Sequence, residues 1–163
     1  MIARRWFTHL AVSASPIRIT TGDGRLALER ADDTAYDALI LDAFNSGSVP
    51  VHLLTKEAFA IYLKRLKPGG MILLHVSNRY LDLRPVLAAA ANDLGLSGAS
   101  KRQEFVRRVE ASRAESTLVA ISRDPAAIRK LTEKRGWHPF DKSMPRAIVW
   151  TDGHASLLAA LAL

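Results

Sequence analysis

Two polar side chains that can move a proton, Asp42 and His75, each stand directly after a short apolar run. Ala38-Leu39-Ile40-Leu41 precedes Asp42, and Met71-Ile72-Leu73-Leu74 precedes His75. Continuous apolar runs of this length are typical of buried parallel strands. Ligands bind beyond the carboxyl ends of such strands, so we expect both side chains to face one crevice. A carboxylate or an imidazole placed there could act as a general base.

Each of these two residues has an alternative interpretation. An acid that follows a buried strand can be a solvated loop residue. A histidine at a strand end can be a core residue that bonds to backbone groups. The binding of ligands at strand ends favours a site at Asp42, whereas the residues alone leave the role of His75 open.

A third candidate, Asp23, lies between Gly22 and Gly24 and follows the alternating segment 17–20. Glycine lets the backbone approach a ligand closely, and a carboxylate can accept a hydrogen bond from an exocyclic amine. The alternative is that Asp23 caps a short helix that begins at Arg25. Both interpretations fit the residues.

The hydrophobic pattern predicts the elements that must position these side chains. Strands are predicted near residues 17–20, 37–41, 71–75, 117–122 and 147–150. Helices are predicted over residues 25–30, 55–67, 82–94, 125–134 and 155–163, and residues 97–115 fit neither pattern. Strands that alternate with helices indicate an α/β fold, with a mostly parallel sheet and helices on both faces.

The second of these helices has the clearest pattern. Thr55 is its expected N-cap. Phe59, Tyr62, Leu63 and Leu66 recur at helical spacing and predict one buried face, and the pair Gly69-Gly70 is expected to end the helix. We therefore interpret these aromatic residues as core.

Composition indicates one domain over residues 1–163. Hydrophobic residues make up 48% of the chain and cysteine is absent, so we expect neither disulfides nor a thiolate metal site. No histidine pair has metal-ligand spacing, and no metal is predicted. No apolar run approaches the roughly 20 residues of a membrane span, and no signal peptide is recognisable. A cytoplasmic protein without a membrane segment is expected.

The net charge of +7 raises the question of a nucleic-acid partner. The basic residues cluster in the segments 101–113 and 129–135, where no recognition motif or aromatic binding strand accompanies them. We interpret them as a solvated surface and expect no specific nucleic acid. His52 is expected to face the crevice, while His9, His138 and His154 are scattered.

An ordered set of motifs between residues 17 and 94 resembles the spermidine synthases, and more closely the bacterial spermidine-synthase-like proteins of the class I S-adenosylmethionine-dependent methyltransferase superfamily. The matching segments are Gly22-Asp23-Gly24, Tyr36-Asp37, Leu41-Asp42, Pro50, Lys56-Glu57, Leu66-Lys67-Pro68-Gly69-Gly70 and His75-Val76-Ser77, with a weaker match at Val149-Trp150-Thr151-Asp152. LKPGG is common across the superfamily. The ordered set with DAF, SVPVHLLT and HVSNRYLDL is far more specific.

The resemblance implies a Rossmann-like fold with an antiparallel last strand. It implies a transferase of polyamine biosynthesis that uses S-adenosylmethionine or decarboxylated S-adenosylmethionine, a small-molecule amine as acceptor, and a homodimer. Asp23 would meet the adenine of the cofactor, and Asp42 would hold the amine and take its proton. Asp42 and His75 are the catalytic candidates, and cofactor contacts are implied for Gly22, Asp23, Gly24, Asp42 and Ala43.

Three departures from the family pattern bear on activity. The Gly-rich turn that cradles the amino acid part of the cofactor has no match before Ile17, so an N-terminally truncated fold with an incomplete cofactor site is expected. The second acid of the catalytic loop is replaced by Asn45 or Ser46, and His75 replaces a glutamine. Two function classes therefore remain, an amine-directed transferase and a non-catalytic methyltransferase-fold remnant that binds a partner.

Overall fold

The computed structural model describes residue 8 and residues 12–31, 35–43, 49–107, 112–141, 144 and 147–161. In chain order its elements are α1 (Gly24–Arg30), β1 (Tyr36–Leu41), α2 (Lys56–Arg65), β2 (Leu66–His75), α3 (Arg84–Asp93), β3 (Ser97–Arg107), β4 (Ser112–Ser122), α4 (Pro125–Thr132) and β5 (Trp137–Pro139). Short 3₁₀ turns are formed by Val51–Leu53 and Leu158–Ala160.

The five strands form one mixed sheet in the order β1-β2-β4-β3-β5. β1 and β2 are parallel, and Leu41 lies opposite Leu74. β4 lies between β2 and β3 and runs antiparallel to both, while β5 is antiparallel to β3. β1, β2 and β3 therefore run in one direction. Because β1 and β2 end together, the residues that follow them, Asp42 and His75, lie at the same edge of the sheet.

Helix α2 connects β1 to β2 and packs its apolar face on the core. Phe59, Tyr62 and Leu63, predicted as that face, are all buried. The rings of Phe59 and Tyr62 meet edge to face with their centroids 5.7 Å apart. The Tyr62 hydroxyl donates to the Leu53 carbonyl oxygen at 3.1 Å, so burial of the ring leaves its polar end paired. Full burial of one such side chain contributes about 1.5–3 kcal/mol.

Polar groups fix both ends of α2. Thr55 Oγ1 accepts the Ala58 N–H at 3.3 Å, which confirms the predicted N-cap. At the other end, the buried Arg65 donates from Nε to the Leu28 carbonyl oxygen and from Nη2 to the Glu29 carbonyl oxygen, at 2.8 Å each. Carbonyl groups in the last turn of a helix have no intrahelical partner. Arg65 supplies one for α1 and thereby holds α1, which carries Asp23 at its start, against α2.

The α/β, Rossmann-like fold class is confirmed, with corrections to the sheet. Among the described strands only β1 and β2 form a parallel pair, because β4 occupies the position between β2 and β3. The antiparallel strands are β4 and β5, and residues 147–150 are not among them. Residues 97–107 and 112–115, which the sequence pattern left unassigned, belong to β3 and β4.

Two predicted strands are wrong. Residues 17–20 and 147–150 are apolar or alternating, but neither segment pairs with a strand in the described part of the chain. Trp150 is nevertheless fully buried, and its carbonyl oxygen accepts the Lys56 N–H at 2.8 Å. Burial explains the apolar character of Trp150 without a place in the sheet, whereas Ile148 is exposed.

Some predicted helix ends are also wrong. Helix α2 ends at Arg65, and the Pro-Gly-Gly turn lies inside β2. Of the predicted helix over residues 155–163, the described residues form only the 3₁₀ turn at Leu158–Ala160. No helix in the described part of the chain has the length and apolar character that a membrane crossing requires.

Candidate functional site

Asp42 and His75 meet beyond the ends of β1 and β2, as the strand pattern predicted. Asp42 Oδ1 is 2.8 Å from His75 Nδ1. The Asp42 side chain is 68% exposed and that of His75 is 36% exposed. His75 is therefore no core histidine bonded to backbone groups, because its ring meets side chains at the surface of the sheet edge.

The other ring nitrogen of His75 faces two serines. His75 Nε2 is 2.7 Å from Ser77 Oγ and 3.4 Å from Ser116 Oγ. Ser77 Oγ accepts the Thr117 backbone N–H at 2.8 Å. Sequence reasoning assigned no role to Ser77, although it follows His75 by two positions, the spacing that places side chains on one face of an extended segment. Ser116 lies in β4, and no sequence pattern predicts that it lies near His75.

An open cavity of about 380 Å³ borders this group. Ile40, Leu73 and Trp137 give it an apolar wall, while Asp42 and His75 stand among its polar lining residues. A carboxylate beside an imidazole in such a cavity can bind the amino group of a small molecule and move its proton.

Asp23 is the N-cap of α1, as the capping interpretation predicted. Its Oδ1 accepts the Leu26 N–H at 2.9 Å, and its Oδ2 is 2.9 Å from His52 Nε2. The Leu26 hydrogen bond is the main cause that lowers the pKa of Asp23, and His52 adds to it. An ionised carboxylate has about four acceptor positions, so these two contacts leave room for an exocyclic amine.

A cavity of about 610 Å³ adjoins Asp23, with Gly22, Leu26 and Tyr36 among its lining residues. A side-chain carbon built on Gly22 or Gly24 would have no heavy atom within 4 Å, so the space beside both glycines is open. The lining also includes Arg18, Thr20, Thr21 and Arg30, so this cavity is mixed in polarity. The described residues include no Gly-rich turn for the amino acid end of an S-adenosylmethionine-type molecule.

A third cluster joins the start of α1 to the segment after Trp150. Arg25 Nη1 and Nη2 donate to Asp152 Oδ1 and Oδ2 at 2.7 and 2.6 Å, and Nη1 donates to the His52 carbonyl oxygen at 2.9 Å. Thr55 Oγ1 donates to Asp152 Oδ1 at 2.7 Å. The bonds from Arg25 and Thr55 lower the pKa of Asp152 to about 2, and the bond to Asp152 raises the pKa of Arg25.

The remaining predicted residues add little to these clusters. Ala43 is described and exposed, whereas Asn45, Ser46 and His9 lie outside the described residues. His138 and His154 are exposed and distant in sequence from Asp23 and Asp42, while His154 follows Asp152 by two positions. Within the described ranges, no group of three or more histidine and acidic side chains could hold a metal ion.

No family model matches the chain, but individual proteins are similar to it in sequence and in fold. A putrescine N-methyltransferase of Nicotiana tabacum is 28% identical over 93 residues, which cover 56% of this chain and 24% of the relative. A polyamine aminopropyltransferase of Vibrio vulnificus is 40% identical over 58 residues, covering 34% of this chain and 19% of the relative. The chain thus spans about a quarter or less of these curated relatives.

A solved structure carries the comparison across most of the chain. The crystal structure of a probable spermidine synthase from Corynebacterium glutamicum aligns with a TM-score of 0.65 at 20% identity, covering 96% of this chain and 61% of that protein. At this identity the likeness concerns the fold. Together with the sequence matches, it shows that the chain is similar to putrescine N-methyltransferases and polyamine aminopropyltransferases and has a spermidine synthase-like, Rossmann-like fold.

Proposed function

We propose that this chain carries the acceptor site and part of the donor site of a transferase that moves an alkyl group from a sulfonium donor to a small amine. The reaction would be that of an aminopropyltransferase or of a related N-methyltransferase. The observation that carries the proposal is the 2.8 Å contact between Asp42 and His75 at the ends of neighbouring parallel strands. The names of the relatives, putrescine N-methyltransferase and polyamine aminopropyltransferase, support an amine as acceptor.

Asp42 is the residue proposed to receive the amine. Its carboxylate is largely exposed and stands in a cavity whose wall is mostly apolar. A carboxylate attracts an ammonium group and, as a general base, accepts its proton, which leaves the nitrogen lone pair free to attack. The hydrocarbon part of the amine would contact Ile40 and Leu73.

The donor would contribute an electrophilic carbon next to a sulfonium, so that a nitrogen–carbon bond forms while the carbon–sulfur bond breaks and its electron pair stays on a neutral thioether. Asp23 would accept a hydrogen bond from the adenine amino group, with Gly22 and Gly24 leaving space beside the backbone. Ala43 follows Asp42 and is proposed, with these residues, to contact the donor. Whether the methyl or the aminopropyl group is transferred depends on which donor binds.

Binding of methylthioadenosine to the 163-residue chain tests the donor half of this proposal by calorimetry. Asp23→Ala is expected to weaken binding by about 1–3 kcal/mol, because the adenine amine loses its acceptor. Asp37→Asn is the matched control, since Asp37 is an exposed acid paired with Lys67 and lies outside the proposed site. Absence of binding at millimolar ligand would favour the non-catalytic interaction domain instead.

Release of methylthioadenosine, with putrescine as acceptor and decarboxylated S-adenosylmethionine as donor, tests the reaction. The parallel assay with S-adenosylmethionine follows methylation of the same amine. A product in one assay and none in the other would assign the donor. If neither donor reacts with any small amine tried, the transferase proposal is wrong for this chain.

A further inference from the structure

The donors and acceptors of the hydrogen bonds around His75 give different roles to Asp42, His75 and Ser77. We propose that Ser77 is a positioning residue that acts together with Asp42: the carboxylate accepts from Nδ1 and the Ser77 hydroxyl donates to Nε2, so neutral His75 is held in the form that carries its proton on Nδ1. His75 in turn fixes Asp42 so that Asp42 Oδ2 meets the acceptor amine. The inference rests on the proposed function only for the identity of that amine.

The direction follows from the capacity of each atom. An ionised carboxylate only accepts hydrogen bonds, so the 2.8 Å contact with Asp42 Oδ1 requires a proton on His75 Nδ1. In a neutral imidazole the other nitrogen is then an acceptor. Ser77 Oγ, 2.7 Å from His75 Nε2, is placed to donate its only proton there.

The backbone of β4 fixes Ser77 for this task. The Thr117 N–H donates to Ser77 Oγ at 2.8 Å, and the Thr117 carbonyl oxygen accepts the Val76 N–H at 2.9 Å. One lone pair of the hydroxyl is thereby occupied, while its proton and second lone pair remain available. By turning its hydroxyl proton, Ser77 can also accept from Nε2 when His75 carries both protons, so His75 keeps two partners in either charge state.

These bonds leave one atom of the site for the ligand. Both nitrogens of the His75 ring are engaged, and Asp42 Oδ1 is bonded to His75. Across the described residues, Asp42 Oδ2 has no hydrogen-bond partner, and the side chain is 68% exposed. Direct contact with an amine is thus assigned to Asp42 Oδ2, and His75 acts through Asp42.

Nitrogen-15 NMR of the histidine rings tests this assignment in the full chain and requires no turnover. Ring ¹⁵N shifts separate the Nδ1–H form from the Nε2–H form, and His75→Gln identifies the His75 signals. At an alkaline pH where the ring is neutral, we expect wild-type His75 to be in the Nδ1–H form. Ser77→Ala should raise the Nε2–H population, Ser77→Thr should restore the wild-type pattern, and Ser116→Ala should leave it unchanged, because that contact is 3.4 Å long.

Two results would overturn the proposal. One is a wild-type His75 that is mainly in the Nε2–H form, and the other is a Ser77→Ala protein whose His75 populations equal those of the wild type. A chain that binds no methylthioadenosine but shows the expected ring pattern would contradict the proposed transferase and leave the hydrogen-bond assignment standing. The two ideas therefore fail separately.

Discussion

Arg25 and Asp152 are joined by two hydrogen bonds, of 2.7 and 2.6 Å, although they stand 127 positions apart in the chain. The pair links the start of α1, beside Asp23, to the segment that follows the buried Trp150. Arg25 also bonds to the His52 carbonyl oxygen at 2.9 Å. The loop before α2 and the proposed donor side of the site are therefore held in place from the C-terminal part of the chain.

This pair predicts an acid-dependent contribution to stability. The pKa of folded Asp152 is lowered to about 2, so the contribution is complete above the ordinary aspartate pKa of about 3.9 and is lost as the pH falls toward 2. Because the Asp152 side chain is 46% exposed, solvent screening limits the effect. We expect Asp152→Asn to lower the free energy of unfolding by about 0.5–1 kcal/mol at neutral pH.

Urea denaturation of the wild type and of Asp152→Asn at several pH values measures this difference in the free energy of unfolding. The difference between the two proteins should shrink as the pH falls, and Asp37→Asn, which removes an ion pair whose acid is 86% exposed, should show a smaller difference throughout. A constant difference down to pH values near 2 would mean that Asp152 acts by packing and not by charge.

Thr55→Ala should destabilise the protein by about 0.5–2 kcal/mol, the usual cost of removing an N-cap. The residue is buried and its hydroxyl serves both the Ala58 N–H and Asp152, so we expect the upper half of that range. Thr55→Ser keeps the hydroxyl and is the control for the lost methyl group. Equal losses of unfolding free energy in the two variants would contradict a role for the hydroxyl.

Asp42→Asn should reduce the rate of any amine transfer by roughly 10²-fold or more, since a positioned base contributes about 10²–10⁴. The amide keeps the size of the side chain but cannot take a proton. The measurement is the initial rate at which methylthioadenosine or the N-methylated amine forms with the donor that proves active. An unchanged rate would remove Asp42 from the mechanism and leave His75 as the remaining base.

Gly98→Ala should destabilise the fold by about 1–3 kcal/mol through overpacking. A Cβ atom at Gly98 would overlap the ring of Phe140, and the Phe140 backbone is held beside Gly98 because its N–H donates to the Gly98 carbonyl oxygen at 2.9 Å. Gly24→Ala is the matched control, since no atom lies within 4 Å of a Cβ at that position. Thermal unfolding of both variants measures their stability, and Gly98→Ala is expected to have the lower melting temperature. Similar melting temperatures would show that the Phe140 ring moves aside freely.

Local pattern was enough to predict the elements that carry the site. The apolar runs before Asp42 and His75 became β1 and β2, and the helical spacing of Phe59 and Tyr62 gave the buried face of α2. These signals are strong because each element buries one continuous set of side chains. The meeting of Asp42 and His75 then follows from parallel pairing alone.

Non-local contacts account for what the sequence pattern missed. β3 and β4 are rich in polar and basic residues, so no apolar run predicted them. The pairing of β4 with β2, such as Leu118 with His75, joins chain segments far apart. Residues 147–150 form an apolar run that resembles a strand, yet they pair with no described strand and only Trp150 is buried. The bond between Ser77 and His75 could be suspected from their spacing, but the Thr117 N–H that fixes Ser77 could not.

The placement of β4 between β2 and β3 has a consequence for how the chain acquires its structure during synthesis. Among the described strands, β1 is the neighbour already made when β2 leaves the ribosome, and β3 gains its described neighbours when β4 and β5 follow it. Because β3 and β4 are close in sequence, their hairpin is the contact with the lowest entropic cost and can form first. Pairing of that hairpin with β2 then brings Thr117 to Ser77. The hydrogen bonds around His75 are therefore completed only after β4 has paired with β2.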